Sequence, residues 1–338
     1  MCGIVGLHLR NPELYPRLGE LLTSMLCEME ERGADSAGVA VYGDPVWSPP
    51  GTVTVSVLES GLSAEQLAAA VGDTLGTAVT VEEADQTQLV SMPLAEHSDD
   101  DGADPATAAE TLKKAVLQAA PGALISGFGQ DLAVLKGVGH PRALAEAYGL
   151  RQAQGWQGVG HTRMATESAV TPGGCHPYAV GEGQCMVHNG SFSNHATIRR
   201  ELTRRGVEFD SENDTEVGAR FIAEKMASGA GVKEAVDALA QAFDGFYTLL
   251  VSNRDSFAVV RDAIACKPAV IAETEDWVAM ASEYRALADL PGIENARLYE
   301  PEPNHIYAWS RNAESRNEAS GSGQSPARAA RQREMSDA

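Results

Sequence analysis

The sequence predicts an α+β fold, and three observations predict it. Short β-rich apolar runs, CGIVGLHL and GVAVY, lie near the start of the chain. Leu18, Leu21, Leu22, Met25, Leu26 and Met29 give residues 16–31 the i, i+3, i+4, i+7 spacing of a helix with one buried face. Further strand-like runs, DGFYTLLVSN, SFAVVRD, PAVIAE and DWVAMAS, come after helices expected to follow Asn194 and Asp214.

Between the opening elements and the later strands, the stretch 44–130 is expected to form a small α/β elaboration. TVTVSVLES has strand periodicity. SAEQLAAAVGDTL begins with a serine cap and an acidic residue two places on, which suits a helix. AVTVEEA and QLVSMPL are extended in pattern, and HSDDDGADP (97–105) is an acidic loop, solvated in preference to cation-binding. PATAAETLKKAVLQAA carries its proline where a helix starts. ALISGFG and LAVLKGVG are expected to pair as strands. A single domain is expected over residues 2–310. The tail 311–338 is poor in large apolar groups and is expected to be disordered, since burial there cannot offset the entropy of ordering.

The chain has 338 residues, long enough to bury a sizeable core, and a net charge of −21. That charge disfavours nucleic acid and anionic membrane surfaces as partners. Five widely spaced cysteines, at 2, 27, 175, 185 and 266, argue against a disulfide framework and for a reducing compartment. No run approaches the ~18 apolar residues of a membrane helix, and no secretory signal is recognisable at the start. A soluble, cytoplasmic protein is expected.

A cysteine directly after the initiator methionine is unusual. If Met1 is removed, Cys2 carries a thiol and a free α-amine on one residue. The thiolate is the nucleophile and needs a base; an α-amine titrates near ~8 and can serve at cellular pH. The bland alternative is a small residue buried near a frayed terminus, and the rest of the chain decides between them. In GHTRMATES, Arg163 is a fork able to hold a carboxylate, with Thr162 and Thr166 on either side. In HNGSFSN, Asn189 and Gly190 offer a side-chain amide and a glycine N–H, the donors an oxyanion hole requires. In ENDTEV, Asp214 can bind an ammonium. Together they describe a zwitterionic amino acid held at both ends with its side-chain carbonyl presented to Cys2. Glutamine fits.

In this order, MCGIVG, RGADSAG, GHTRMAT, HPY, HNG and NDTE resemble the class II (N-terminal nucleophile) glutamine amidotransferases, over residues 2 to about 50 and about 130 to 310. That family includes the glutaminase domains of amidophosphoribosyltransferase, glucosamine-6-phosphate synthase, asparagine synthetase and glutamate synthase. The resemblance implies a four-layer αββα sandwich with two antiparallel sheets. It implies Cys2 as nucleophile with its α-amine as base, and Asn189 and Gly190 as oxyanion hole. It also implies Arg163 with Thr166 on the substrate carboxylate, Asp214 on its ammonium, and Arg32 supporting the loop around the nucleophile. The implied reaction releases ammonia and leaves a γ-glutamyl thioester that water hydrolyses to glutamate. Where many relatives have His–Gly after the Ala–Thr of the arginine motif, this chain has Glu167 and Ser168. Within the family, HTRMATESAVTPGGCHP and VHNGSFSNH resemble the separate glutaminase subunit of glutamate-synthase-like and N-methylglutamate-synthase complexes. That implies no cofactor in this chain, and synthase partner subunits carrying FMN and iron–sulfur clusters.

Competing expectations are a non-catalytic glutamine sensor or scaffold, and another amide hydrolase with the same type of nucleophile. Intact Cys2, Arg163, Asn189, Gly190 and Asp214 oppose the first, and the pairing of Arg163 with Asp214 favours a free α-amino acid over the second's substrates. Cys175, His176, Cys185 and His188 could suggest zinc, but their spacing fits no common zinc pattern, and His161 and His176 are expected to orient strands. GFGQDL (127–132) lacks the spacing and lysine of a nucleotide loop and is expected to be a turn. Cys27 and Cys266 are expected to be packing residues.

Overall fold

The structure, a computed structural model, describes residues 2–94, 104–164 and 170–311. Thr166, Glu167, Ser168, most of the acidic loop at 97–105 and the expected tail from 312 onward lie outside the described residues. In chain order the elements are β1 (Gly3–Leu9), α1 (Leu18–Cys27), β2 (Ser36–Tyr42), β3 (Thr52–Leu58), α2 (Ala64–Leu75), β4 (Thr80–Ala84), β5 (Thr87–Pro93), α3 (Pro105–Ala119), β6 (Leu124–Gln130), β7 (Leu132–Val138) and α4 (Pro141–Ala147). They continue with β8 (Gln157–Arg163), β9 (Cys185–Phe192), α5 (His195–Arg204), α6 (Asp214–Ala227), α7 (Val232–Ala242), β10 (Gly245–Ser252), β11 (Ser256–Arg261), β12 (Val270–Glu273), β13 (Trp277–Ala281), β14 (Arg297–Tyr299) and β15 (Ile306–Ser310).

Two antiparallel sheets form the middle layers. One runs β14-β12-β13-β1-β8-β2-β7 and the other β15-β11-β10-β9. Strand alternation assigns the faces. On β1, Ile4 joins Val187, Leu250, Phe257, Val259 and Met280 in the core between the sheets. Its neighbours Val5, Leu7 and Leu9 turn the other way, onto Leu18, Leu22, Met25 and Leu26 of α1. The far face of the second sheet packs Met186, Leu249 and Val251 against Ile198, Val217, Ile222, Val236 and Leu239 of α5–α7. The order of layers is therefore helices, sheet, sheet, helices: the four-layer αββα sandwich. Helix α1 is shorter than the stripe at 16–31 suggests. Pro12 and Pro16 hold the preceding residues in a 3₁₀ turn, and a second 3₁₀ turn, Glu30–Arg32, follows. The amphipathic stripe Val232, Ala235, Val236, Leu239 makes α7, an additional helix, and β14 and β15 are edge strands beyond those anticipated.

Within 44–130 a third sheet, β4-β5-β3-β6, is covered on one face by α2 and α3. β3 pairs antiparallel with both β5 and β6, and β4 pairs antiparallel with β5, so this is a split βαββαβ unit of the ferredoxin-like kind. Helix α2 starts as expected, with Ser63 as its cap and Glu65 in its first turn, and Gln66 completes a capping box with Ser63. One expectation is corrected. ALISGFG and LAVLKGVG do become strands, but they do not pair with each other: β6 extends the third sheet beside β3, and β7 extends the first beside β2. Each has a better partner, and hydroxyls join the sheets instead: the Val134 N–H donates to Ser56 Oγ (2.9 Å), and Ser126 Oγ donates to the Val134 carbonyl (3.1 Å).

Candidate active site

Cys2 stands at the entrance to β1, the middle strand of the seven-stranded sheet. The antiparallel register sets Gly3 opposite Thr162, which brings Cys2 level with Arg163 at the end of β8. Directly opposed residues share a face. Cys2 and Arg163 therefore lie on the side of Ile4 and His161, toward the second sheet, whereas Thr162 turns to the helical side and donates to the Met29 carbonyl (3.1 Å). Arg163 is 5% exposed, and its Nη1 donates to the Gly174 carbonyl at 3.3 Å.

Alternation on β9 sorts its residues in the same way. Cys185 and Val187 face the first sheet and Met186 faces the helices, so Asn189 points toward Cys2 and His188 away from it. Asn189 Nδ2 donates to the Cys2 carbonyl at 3.3 Å. Arg32 Nε donates to the same oxygen at 3.0 Å, and its Nη1 is paired with Glu283 Oε1 at 2.6 Å. The 3₁₀ turn after α1 delivers this arginine. Gly33, next to it, has no room for a side chain, because a Cβ there would run into the Arg163 carbonyl carbon. Gly190 has φ +153°, and a Cβ on it would run into the Phe246 carbonyl oxygen, so both its conformation and its neighbour require glycine.

Asp214 is the first residue of α6, after the cap Asn213, whose Oδ1 accepts from the Thr215 N–H (2.9 Å). A carboxylate there is favoured by the helix dipole. Its Oδ2 accepts from the Phe192 N–H at 2.8 Å, which ties it to the end of β9, three residues past Asn189. Thus Arg32, Asn189, Arg163 and Asp214 are all tethered, by bond or by register, to the strand ends around Cys2. Thr166 lies outside the described residues.

Behind this group lies a buried polar layer whose arrangement the sequence did not disclose. His161 Nε2 contacts the His188 carbonyl (3.1 Å), and the His161 and His176 rings stack at 4.0 Å. His176 Nε2 and His188 Nδ1 both meet Thr215 Oγ1, at 3.1 and 2.9 Å. Burial lowers His161 to about 3 and His188 to about 4, and pushes His176 well below the usual imidazole value, so all three are neutral. The clues available were HN and DT, each pairing one of these residues with an expected site residue. Cys27, Cys175 and Cys185 are buried, and burial raises their thiols, which disfavours the thiolate a nucleophile needs. Cys266 corrects an expectation: it is exposed, not packed, in the loop after β11 where Ala265 turns with φ +51°. Among the described residues no group of three or more His, Cys, Asp and Glu is arranged to hold a metal ion, and no helix is long and apolar enough to cross a membrane.

Comparison with known proteins adds to this geometry. A glutamine amidotransferase domain family matches residues 161–289. The glutamine amidotransferase-like protein GlxB of Rhizobium meliloti is 43% identical over 310 residues, 91% of this chain and 98% of GlxB. A putative glutamine amidotransferase of Methanothermobacter thermautotrophicus is 26% identical over 91% of this chain and 99% of its own. The glutamine–fructose-6-phosphate aminotransferase of Thermus thermophilus is 36% identical over 159 residues, which is 47% of this chain but 26% of that enzyme. Among solved structures, glutamine phosphoribosylpyrophosphate amidotransferase from B. subtilis superposes with a TM-score of 0.53 at 16% identity, over 92% of this chain and 49% of that one. At that identity the likeness is one of fold.

Proposed function

Since the chain belongs to the class II glutamine amidotransferases and is an enzyme of that class, we propose that Cys2 is its nucleophile and that its ammonia serves a separate synthase subunit. Removal of Met1 frees the Cys2 α-amine, which takes the thiol proton. The thiolate attacks the side-chain amide carbon of glutamine, and Asn189 Nδ2 with the Gly190 N–H receives the oxyanion. Collapse of the tetrahedral intermediate breaks the C–N bond as the α-ammonium returns its proton to the leaving nitrogen. Ammonia departs and a γ-glutamyl thioester remains. Water then cleaves the thioester, giving glutamate and the free thiol. Arg163 and Asp214 hold the substrate carboxylate and ammonium, and Arg32 holds the Cys2 main chain still.

The observation that carries this reading is the Cys2 carbonyl, which accepts from both Arg32 Nε and Asn189 Nδ2 and so fixes the thiol-bearing residue beside the amide donor. The motif resemblance favours a glutamate-synthase-like or N-methylglutamate-synthase-like acceptor, with FMN and iron–sulfur chemistry on its subunits. Intact mass should show Met1 absent and a glutamine-like electrophile attached at Cys2. Cys2→Ser should abolish both labelling and glutamine hydrolysis, and retained turnover in that variant removes Cys2 from the mechanism.

A further inference from the structure

The hydroxyl of Thr215 is a three-way junction. It lies 3.1 Å from His176 Nε2, 2.9 Å from His188 Nδ1 and 3.4 Å from Asp214 Oδ1, and Thr215 is 2% exposed. The other ring nitrogens, His176 Nδ1 and His188 Nε2, are buried and have no partner among the described residues, as is the case for His161 Nδ1.

With those partners, one assignment of protons leaves no buried imidazole N–H unsatisfied. A threonine hydroxyl donates one proton and accepts two. If Thr215 donated to either imidazole, that ring would carry its own proton on the opposite, partnerless nitrogen, leaving a buried N–H unsatisfied, at a cost of ~1–3 kcal/mol. If both rings donate to Thr215, the partnerless atoms are only lone pairs, and the hydroxyl proton is left for Asp214, whose carboxylate can only accept. His161 conforms to the same pattern: its Nε2 faces a carbonyl and must donate, leaving Nδ1 as the bare nitrogen.

We infer that Thr215 is a positioning residue for substrate recognition, its hydroxyl held by His176 and His188 so that its single proton is aimed at Asp214, the carboxylate that takes the substrate ammonium. The inference rests on the role proposed for Asp214. It explains why neutral imidazoles line this layer: a ring that gained a second proton would bury an N–H with nothing to receive it. It also connects the two ends of the site. His188 adjoins Asn189 on β9, an edge strand of the second sheet, and His176 reaches Thr215 from the segment that crosses that edge, where Tyr178 bridges Met186.

Two experiments test it. Imidazole nitrogen NMR of the full chain should find the proton of His176 on Nε2 and that of His188 on Nδ1. A proton on the opposite nitrogen of either ring overturns the inference, whatever the variants do. Equilibrium affinities should then be measured in a Cys2→Ala background for glutamine and for 4-carbamoylbutanoate, which lacks the α-amino group. Asp214→Asn should collapse the preference for glutamine. Thr215→Val should reduce that preference about tenfold, a loss expected for one hydrogen bond to a charged group, while Thr215→Ser keeps it within about twofold. An unchanged preference in Thr215→Val, with collapse in Asp214→Asn, overturns the positioning role alone. An unchanged preference in Asp214→Asn overturns the ammonium role of Asp214, and the inference falls with it.

Discussion

The side-chain amide of Asn189 donates to the backbone carbonyl of Cys2 at 3.3 Å, joining an edge strand of one sheet to the central strand of the other. That contact sets the amide beside Cys2, and under the proposed mechanism the same Nδ2 would turn to the oxyanion formed on the substrate carbonyl. Replacing one oxyanion donor typically lowers turnover by about 10²–10³-fold. Asn189→Ala should show that loss in kcat with little change in KM, measured as ammonia released from glutamine. A loss below about threefold would remove Asn189 from transition-state stabilisation.

Arg32 predicts a different kind of defect. It is 8% exposed and is neutralised by Glu283, whose side chain is 33% exposed. Glu283→Gln leaves the buried guanidinium without its countercharge and loosens its hold on the Cys2 carbonyl. Because Glu283 is partly solvated, the cost should be modest, about 1–3 kcal/mol by denaturant unfolding. Turnover should fall together with stability, and Arg32→Lys, which loses the planar fork, should not rescue it. Full stability in Glu283→Gln would mean that the pair does not brace the nucleophile.

How much of this was legible in the sequence follows from the range of the interactions. The burial of β1 and the stripe on α1 are local patterns, and the sequence shows both. Cys2, Arg163, Asn189 and Asp214 can be proposed from sequence because each sits in a short motif of suitable chemistry and the motifs support one another. The meeting of His176, His188 and Thr215 depends on a segment crossing the edge of β9, and no periodicity reports where a sheet ends. The partners of β6 and β7 are hidden for the same reason, since two adjacent strands joined by a one-residue turn at Asp131 can belong to different sheets. The exposure of Cys266 comes from the turn at Ala265, which no local pattern announces. Helix α7 is the contrary case: its stripe was there to be found.

The buried histidines make stability depend on pH in a definite direction. Burial lowers His161 to about 3 and both His188 and His8 to about 4, and holds His176 well below 6.5. In the unfolded chain each imidazole returns to its ordinary value near ~6.5. Below that pH the unfolded chain takes up protons that the folded protein excludes, so the equilibrium is pulled toward unfolding. The stability that neutral burial allows is therefore complete above pH ~6.5 and is lost as pH falls toward the folded values, by up to ~1.4 kcal/mol per pH unit for each histidine. Burial raises the Asp131 and Glu182 carboxyls, so the folded protein takes up those two protons before the unfolded chain does, which offsets part of the loss. Denaturant unfolding at pH 7.5, 6.5, 5.8 and 5.2 should show a flat upper limb and then a steepening loss. A profile flat down to pH ~5 would mean that these rings are protonated, or solvated, in the folded protein.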